Sequence, residues 1–325
     1  MNLTQLRHID AIVKNAYNLS RAAETLHTTQ PGVSTQLRAL EDELGVMIFE
    51  RKGKRIIGLT AAGESIVSMS QEILQKIRAI RAVGEEFSQE KKGTFTIATT
   101  HTQARYALPA IITRFVKRYP DVQLRIRQGH PQQISEMVIQ GDADIAIATE
   151  AIASYQQLLM LPVYRWNRCL IARSGHPVLK PRKPTLDLIA QFPIVTYDFA
   201  FAGRSAMNKS FIEAGLKPNI VLTAIDSDVI KHYVELGLGI GVLAHMAYDE
   251  KRDKKLRCKD VSHLFDDSVT SIGIRRGSFL RGYMLEFVEM FAPHLSIGQI
   301  SSLLTKHSPE LENELMQKLT DLPLR

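Results

Sequence analysis

Cysteine and tryptophan are scarce in this chain, which holds two cysteines and one tryptophan among 325 residues. Cys169 and Cys258 lie far apart without the spacing of metal ligands, which predicts reduced thiols rather than a disulfide framework. The ten histidines show no metal-ligand pattern, so we expect no metal and no other bound cofactor. A long apolar run is missing, and so is the apolar core of a signal peptide. These absences predict a cytoplasmic protein without a membrane partner.

Basic residues are in modest excess, with 41 lysines and arginines against 34 aspartates and glutamates. The resulting net charge of +7 favours a polyanionic partner, although basic proteins are common enough for this to be weak support. Hydrophobic and charged contents of 45% and 23% are typical of a globular protein. A chain of this length is expected to form two or three domains.

The stretch 19–44 predicts two short helices joined by a tight turn at Thr28–Gly32. Ser20 is the expected N-cap of the first helix, and Thr29 that of the second. Pro31 suits the first turn of the second helix, where no intrahelical N–H bond is lost. Along that helix, apolar side chains recur on one narrow stripe: Val33, Leu37, Leu40 and Leu44.

The opposite face carries small and hydrogen-bonding side chains, namely Pro31, Thr35 and Arg38, with Gln30 and Ser34 at its leading edge. Glutamine and arginine can pair with base edges in the major groove of DNA. The next residues, 50–56, are basic and turn about Gly53, which is typical of a wing held against phosphates. Taken alone, the two helices also fit an ordinary amphipathic hairpin with a solvated outer face.

Residues 1–65 resemble the DNA-binding domain of LysR-type transcriptional regulators. The resemblance rests on Ala22-Ala23, on 29–34 (Thr-Gln-Pro-Gly-Val-Ser), on 40–45 (Leu-Glu-Asp-Glu-Leu-Gly), on Phe49-x-Arg51 and on Leu59-Thr60-x-x-Gly63. It implies a winged helix-turn-helix that binds double-stranded promoter DNA. The expected DNA-binding residues are Ser20, Thr29, Gln30, Pro31, Ser34, Thr35, Arg38, Arg51, Lys52 and Lys54. Thr35 stands where related proteins usually have a lysine, so one phosphate contact is expected to be lost.

A long helix is predicted from its expected N-cap, Thr60, to about residue 87. Apolar side chains recur along it at heptad-like spacing: Ile66, Ile73, Ile77 and Ile80. We expect this seam to pair with a second copy, because a helix of this length is unstable with its seam exposed; burial within the monomer is the alternative. The family resemblance also implies a homodimer and, in the full assembly, a homotetramer.

Beyond a polar stretch at 88–93, which we interpret as a hinge, strands alternate with helices, which predicts an α/β fold with a largely parallel sheet. The order repeats, so we expect two lobes with a cleft, as in periplasmic binding proteins and as the LysR resemblance implies. The expected parts are an all-α winged helix-turn-helix domain (1–59), a dimerisation helix (60–87), a hinge (88–93), an effector domain (94–295) and a C-terminal helical extension (296–325). Lobe I is expected at 94–161 and 268–295, and lobe II at 162–267, with one strand over 166–172.

Hydrogen-bonding side chains cluster where the first effector-domain strand ends, at Thr99-Thr100-His101-Thr102-Gln103. Thr149 ends the third strand and should face the same crevice. Helix N-termini present free N–H groups to anions, and these side chains can add neutral donors around one. Threonines at such positions can instead merely cap helices. Because no nucleophile–base pair or acidic dyad occurs there, we predict no catalytic residues and no enzyme.

Further motifs narrow the resemblance to the CysB/Cbl subfamily of LysR-type regulators, and within it more closely to CysB. They are 97–109, 146–150 (Ala-Ile-Ala-Thr-Glu), Tyr164-x-Trp166-Asn167-Arg168, Phe201-x-Gly203-Arg204-Ser205 and 291–295 (Phe-Ala-Pro-His-Leu). This subfamily regulates sulfur assimilation and cysteine biosynthesis. A Cbl-like role in sulfonate and sulfate-starvation genes stays open beside a CysB-like one. A transporter's solute-binding protein would fit the two lobes but not the N-terminal domain.

The subfamily resemblance also implies the effector and its site. The effector would be N-acetylserine or O-acetylserine, with sulfate or thiosulfate as alternatives. The implied effector-binding residues are Thr100, Thr102, Gln103, Thr149 and Ala202, and the possible wall of the cleft adds Trp166 and Phe201. Ala202 replaces a threonine that is usual at this position, which removes one hydroxyl. Trp166 is interpreted first as a packing residue at the lobe crossover, with a place in the cleft wall as the alternative.

Overall fold

The computed structural model describes residues 1–53, 55–87, 92–149, 155–198, 202–305, 312 and 322–325. Of these, the side chains of 85, 87, 202–206 and 305 lie outside the description. The chain forms two compact units, Met1–Ser88 and Gln89–Arg325.

The first unit is a winged helix-turn-helix, as predicted. Its helices are α1 (Leu3–Lys14), α2 (Leu19–Thr25), α3 (Gln30–Leu44) and α4 (Ala61–Phe87), and its antiparallel hairpin consists of β1 (Phe49–Lys52) and β2 (Arg55–Leu59). Apolar side chains from every one of these elements meet in one buried core. Leu37 and Leu40 lie in it, whereas Leu44, at the end of the predicted stripe, is exposed. Gly45 then ends α3 in the left-handed conformation, with φ of 69°.

The first helix of the DNA-binding motif begins earlier than predicted. Asn18, not Ser20, is the N-cap of α2, and its side chain accepts hydrogen bonds from the backbone N–H groups of Ser20 and Arg21. Ser20 therefore lies inside the first turn, exposed to solvent. The expected cap of α3 is confirmed, because the Thr29 hydroxyl accepts the Gly32 N–H at 3.3 Å.

The long helix α4 presents two adjacent apolar faces. Val67 and Leu74 are buried in the core of the first unit, and Ile66 packs partly against it. Ile73 and Ile80 instead remain 40% and 71% exposed. The predicted seam therefore splits: Ile66 contributes to the monomer's core, Ile77 is half-buried, and the others lie beside the core-facing stripe on the open surface.

The second unit is an α/β structure of two five-stranded sheets. The strands are β3 (Gly93–Thr99), β4 (Val122–Gln128), β5 (Ile145–Thr149), β6 (Leu158–Trp166), β7 (Arg168–Arg173), β8 (Ile194–Tyr197), β9 (Ile220–Ala224), β10 (Ile240–Ala244), β11 (Leu256–Asp260) and β12 (Ser268–Arg275). The first sheet has the order β4-β3-β5-β12-β6 and the second β11-β7-β10-β8-β9. Each sheet combines a parallel set with an antiparallel return strand.

Helices cover both sheets. They are α5 (Pro109–Arg118), α6 (Pro131–Ile139), α7 (Leu186–Ala190), α8 (Ala202–Glu213), α9 (Ser227–Glu235), α10 (Gly282–Phe291) and α11 (Ile297–Thr305). A π-helix, Gln103–Ala107, follows β3 directly and was not predicted. The last described residues, 322–325, are not helical, and Leu324 forms an isolated bridge with Arg165 of β6. This corrects the expectation of a helical extension to residue 325.

The crossover between lobes differs from the prediction. The strand expected over 166–172 is two strands, β6 in the first sheet and β7 in the second, separated by Asn167. Lobe I therefore continues to Trp166, five residues beyond the expected boundary at 161. Asn167 is one residue outside the two strands, and its carbonyl still accepts the His245 N–H at 2.9 Å, so no loop signal marks the crossover in the sequence. The return crossover leads from β11 to β12.

Candidate DNA-binding surface and effector cleft

The outer face of α3 carries the predicted recognition residues. Gln30, Pro31, Thr35 and Arg38 are exposed, and Ser34 is half-buried at the edge of this face. Buried Val33 and Leu37 hold the other side of the helix against the core. The fold thus presents short polar side chains with one glutamine and one arginine to solvent, an arrangement that can enter the major groove of DNA.

A groove of about 570 Å³ lies beside the start of α3. Its lining includes Ser20 and Gln30 from the predicted set, and also Asn18, Arg21 and Arg55. Two guanidinium groups are therefore added to the candidate surface. Sequence reasoning could have found Arg55 in the basic stretch 50–56, whereas Arg21 gave no signal beyond its charge.

One predicted DNA contact is instead part of the structural framework. The Arg51 guanidinium donates to Glu41 Oε2 at 3.1 Å, and its side chain is only 23% exposed. Glu41 Oε1 accepts the backbone N–H groups of Ile48 and Phe49 at 2.9 and 3.3 Å. Glu41 thus ties α3 to the start of the wing, with Arg51 as its counter-charge. Lys52 is exposed on the wing, and Lys54 lies outside the described residues.

The predicted effector residues converge at the ends of β3 and β5. These strands are parallel neighbours, with Thr99 paired to Ile147, so Thr100 and Thr149 leave the same edge of the sheet. Thr100 and Thr102 are half-buried, whereas Gln103 and Thr149 are buried. Phe201 lies outside the described residues. Ala202 begins α8, and its side chain is not among those described.

Gln103 is held at both ends of its amide. Its Oε1 accepts the Tyr164 hydroxyl, and its Nε2 donates to Thr270 Oγ1 at 3.2 Å. All three side chains are buried. Gln103 therefore links β6, β12 and the π-helix beneath the cleft, and one N–H of its amide stays available for another acceptor.

Trp166 connects the cleft to the lobe crossover. Its indole N–H donates to Thr149 Oγ1 at 3.3 Å, and the Arg168 guanidinium stacks over its ring at 4.9 Å. Arg168 is buried and donates to the Asp266 carbonyl and the Ser268 hydroxyl on the return crossover. Trp166 is itself 5% exposed, so it is a packed residue that orients Thr149.

A chain of hydroxyls joins the two lobes. The Ala244 N–H donates to the Tyr197 hydroxyl at 3.3 Å, and that hydroxyl contacts Ser227 Oγ at 2.6 Å. Ser227 Oγ in turn contacts Thr102 Oγ1 at 3.3 Å. If each hydroxyl donates to the next, the Thr102 hydrogen is left to donate to another acceptor. Burial raises the pKa of Tyr197, which keeps this chain neutral.

Three polar groups near the crossover have no partner within the described part of the chain. They are the Thr100 hydroxyl, His101 Nδ1 and Asn167 Oδ1, the last two being buried atoms. A buried polar atom without a hydrogen bond costs free energy, about 1–3 kcal/mol by mutational estimates. His101 and Asn167 are additional site candidates that residue type alone did not single out.

An ionic cluster spans the lobes next to Thr102. Asp228 of α9 accepts the Tyr106 hydroxyl at 2.6 Å and pairs with Arg105 and Lys231 at 3.0 and 3.2 Å. Lys231 also contacts Asp253. Burial raises the pKa of Asp228, but hydrogen bonds from Tyr106 and Lys231 and the nearby cations outweigh it, so the pKa is lowered. These side chains line a pocket of about 240 Å³.

The described residues contain neither a metal-binding cluster nor a membrane-spanning helix. No group of three or more histidine, cysteine, aspartate or glutamate side chains is arranged to hold a metal ion there. None of the helices described is both long and apolar enough to cross a membrane.

These features define a DNA-binding winged helix joined to a two-lobed ligand-binding unit. Residues 3–64 match the family of bacterial regulatory helix-turn-helix proteins of lysR type, and residues 88–296 match the LysR substrate binding domain. The chain belongs to the LysR family of transcriptional regulators.

Relatives in this family match along almost the whole chain. The transcriptional regulator CysB of Burkholderia cenocepacia is 47% identical over 96% of this chain and 100% of its own length. The regulator SsuR of the same organism is also 47% identical, over 94% of this chain and 99% of its own. The crystal structure of the cofactor-binding domain of the Cbl regulator is 40% identical, with a TM-score of 0.65, covering 67% of this chain and 95% of that one.

Proposed function

We propose that this LysR-type regulator controls genes of sulfur assimilation and cysteine biosynthesis in response to a small anionic effector. Its similarity along the whole chain to regulators named CysB, SsuR and Cbl supports this assignment. A Cbl-like role in sulfate starvation is the second candidate, favoured by the match to the Cbl cofactor-binding domain. Mapping of bound DNA across the genome under sulfur-replete and sulfur-starved growth tests both. Binding sites unrelated to sulfur genes would contradict them.

The first unit supplies the DNA contacts in this proposal. Gln30, Ser34 and Arg38 read base edges, while Lys52 and Lys54 bind phosphate. Thr29, Pro31 and Thr35 lie against the major groove of the DNA. Ser20, Arg21 and Arg55 line the protein groove beside the start of α3. Arg51 is reassigned as a positioning residue, since its guanidinium is committed to Glu41. The site works on duplex promoter DNA in the cytoplasm, and no catalytic step is proposed.

The second unit holds the effector at the lobe crossover, and two buried atoms without a partner in the described part of the chain, His101 Nδ1 and Asn167 Oδ1, carry this part of the proposal. Thr100 and Thr102 donate to an anionic oxygen, with the remaining N–H of Gln103 and the hydroxyl hydrogen of Thr149 beside them. No free cation is needed, because charge-assisted hydrogen bonds from neutral donors are strong. Arg105 and Lys231 are already paired with Asp228.

Asn167 favours an organic effector over an inorganic one. Its Oδ1 is an acceptor and requires a donor on the ligand. Sulfate and thiosulfate are fully ionised near neutral pH and offer no donor, whereas N-acetylserine offers an amide N–H and a hydroxyl beside its carboxylate. We therefore place N-acetylserine and O-acetylserine, whose ammonium group also donates, ahead of sulfate or thiosulfate. Position 202 carries an alanine where a threonine is usual in related regulators, so in this proposal it supplies no hydroxyl to the effector.

Calorimetric titration of the full chain with N-acetylserine, O-acetylserine and sulfate tests this site. Thr100→Val should weaken binding of the preferred ligand roughly 10- to 100-fold, because a hydrogen bond to a charged group is worth about 1.5–3 kcal/mol. Asn167→Leu should weaken N-acetylserine more than sulfate. The matched control is Thr113→Val, on the exposed face of α5. Equal affinities for wild type and Thr100→Val would refute the assignment.

The domain division predicted from the sequence is retained in this proposal, except that lobe I extends to Trp166 and residues 322–325 are not helical. It consists of the DNA-binding domain at 1–59, the dimerisation helix at 60–87 and the hinge at 88–93, followed by the effector domain and the C-terminal extension. Two copies pair through α4, and two such dimers form a homotetramer. The exposed side chains of Ile73 and Ile80 on α4 support the pairing of two copies through this helix.

A further inference from the structure

Two cysteines and one histidine cluster at the edge of the second sheet, away from the effector residues. The β7–β11 register places Asp260 opposite Cys169 and Cys258 opposite Ile171. The two cysteines are therefore diagonal neighbours on one face of the sheet, because side chains two residues apart share a face. Both contact the apolar cluster beneath α9. The Cys169 and His245 side chains both lie close enough to Cys258 to shift the pKa of its thiol.

The two thiols differ sharply in their surroundings. Cys169 is buried, whereas Cys258 is half-buried and lies beside exposed His245. Hydrogen bonding from Cys169, opposed by burial and reinforced by His245, lowers the pKa of Cys258 from 9.0 to about 6. The hydrogen bond with Cys258 and its own burial raise the pKa of Cys169. The other titratable groups facing Cys258 are Asp260 and Tyr248.

We propose that Cys258 is a reactive thiolate that exchanges with low-molecular-weight disulfides, and that Cys169 is its resolving thiol. The Cys258 thiolate attacks one sulfur of the incoming disulfide, forms a mixed disulfide and releases one small thiolate. Cys169 then loses its proton to that thiolate, attacks the Cys258 sulfur and releases the second small thiolate. Starting from the Cys258 thiolate, the protein loses two electrons and one proton, and the incoming disulfide is reduced to one thiol and one thiolate, which takes its proton from water. Solvent reaches Cys258 first, which fixes the order of the steps.

Closure of the protein disulfide requires a shift of β11. Diagonal neighbours lie about 7–8 Å apart, and a disulfide spans about 4.4–6.8 Å between Cα atoms. The required movement is on the order of 1 Å, and β11 can make it because it is an edge strand of its sheet. Tyr197 belongs to the same apolar cluster as Cys169 and bonds Ser227 on the cleft wall. We therefore expect a shift of β11 on oxidation to be transmitted through this apolar cluster to the wall of the effector cleft.

The experiment incubates the reduced full chain with oxidised glutathione and maps its peptides by mass spectrometry. Wild type should form a Cys169–Cys258 cross-link and release two equivalents of glutathione. Cys169→Ser should instead trap one glutathione on Cys258, and Cys258→Ser should stay unmodified in the native state. A wild-type protein that only accumulates the Cys258 adduct would overturn the resolving role of Cys169. Unmodified cysteines in wild type would overturn the whole proposal.

The pH dependence of Cys258 alkylation by iodoacetamide tests how the thiolate is activated. Its midpoint in wild type should lie near 6 instead of near 9. His245→Gln should move the midpoint upward, because the imidazole no longer stabilises the thiolate. The control, His232→Gln, changes an exposed histidine of the same lobe and should leave the midpoint unchanged. A wild-type midpoint at the ordinary thiol value would overturn the activation. None of these readouts depends on the effector.

Discussion

Two arginines of the first unit illustrate how single residues divide between recognition and support. Arg38 is exposed on the outer face of α3, whereas Arg51 is held by buried Glu41. An exposed guanidinium at a recognition helix can form a bidentate pair with guanine. A guanidinium that is paired and largely buried, such as that of Arg51, leaves a buried carboxylate without its partner if it turns to a phosphate. The free energy lost in this way exceeds what the phosphate contact could contribute.

Arg38→Ala should weaken operator binding by about 1–3 kcal/mol and relax the base preference at one position. The measurement is a binding titration against operator variants at several salt concentrations. Lys52→Ala is the contrasting variant, since loss of a phosphate contact should weaken all sequences alike and flatten the salt dependence. If Arg38→Ala preserved both affinity and base preference, α3 would not be the reading helix.

Residue patterns predicted local features well and tertiary ones poorly. The Thr29 cap and the exposed face of α3 follow from local rules, and both are present. Asn18 and Ser20 both suit an N-cap, so the sequence could not choose between them. The Glu41–Arg51 pair joins a helix to a wing strand and becomes visible only after folding.

At the scale of elements, the π-helix and α9 form a polar contact across the cleft. Tyr106 and Arg105 on the π-helix meet Asp228 on α9, directly beside the Thr102–Ser227 bond. The contact closes the lobes over the predicted effector residues. The stability of the second unit should therefore vary with the charge of Asp228.

Asp228→Asn should lower the stability of the second unit at neutral pH. The folded pKa of Asp228 lies below 3.8, so its contribution is present above that pH and is lost as the pH falls through the folded pKa. Urea unfolding followed by fluorescence of Trp166, the one tryptophan, measures this. Wild type and variant should differ at pH 7 and converge in acid. Asp121→Asn, an exposed change before β4, is the control, and a constant difference at all pH values would contradict the prediction.

The α4 seam makes a prediction about dimerisation. Ile73→Asp combined with Ile80→Asp places two charges on the exposed apolar stripe and should convert the α4 dimer to separate chains. Sedimentation velocity measures the assembly, and operator binding should fall with it. Ser68→Asp with Ala79→Asp puts the same charges on the far side of α4 as a control. Unchanged sedimentation of the Ile73/Ile80 variant would place the dimer contact elsewhere.

Element boundaries were predictable where apolar periodicity changed, and were not where it continued. The change from helix to strand beyond residue 87 is clear in the pattern, and β3 follows it. The β6–β7 crossover is the single residue Asn167, so no loop or turn signal separates the two strands, and one strand was expected over 166–172. The unpredicted π-helix depends on the contacts of Gln103 with Tyr164 and Thr270, which come from distant strands.

At the scale of the whole molecule, the second unit exposes an apolar surface that the chain itself leaves open. Val229, Tyr233 and Leu236 recur on one side of α9 and are 39%, 37% and 65% exposed, and Ile225 just before the helix is 65% exposed. Exposed apolar side chains that recur on one face mark an interaction surface more often than scattered ones do. Burial of this α9 surface against a second effector domain would let α4 dimers assemble further.

Ile225→Asp combined with Leu236→Asp should therefore stop assembly at the dimer. Sedimentation should show the α4 dimer without tetramer, because each buried aspartate would lose its hydration without gaining a partner. The variant should still bind a short operator with two half-sites, since α3 and α4 are untouched, but it should lose affinity for a longer promoter with four. Ile212→Asp, an equally exposed isoleucine on α8, is the matched control. Tetramers that persist in the double variant would show that this face of α9 is open in the assembled regulator.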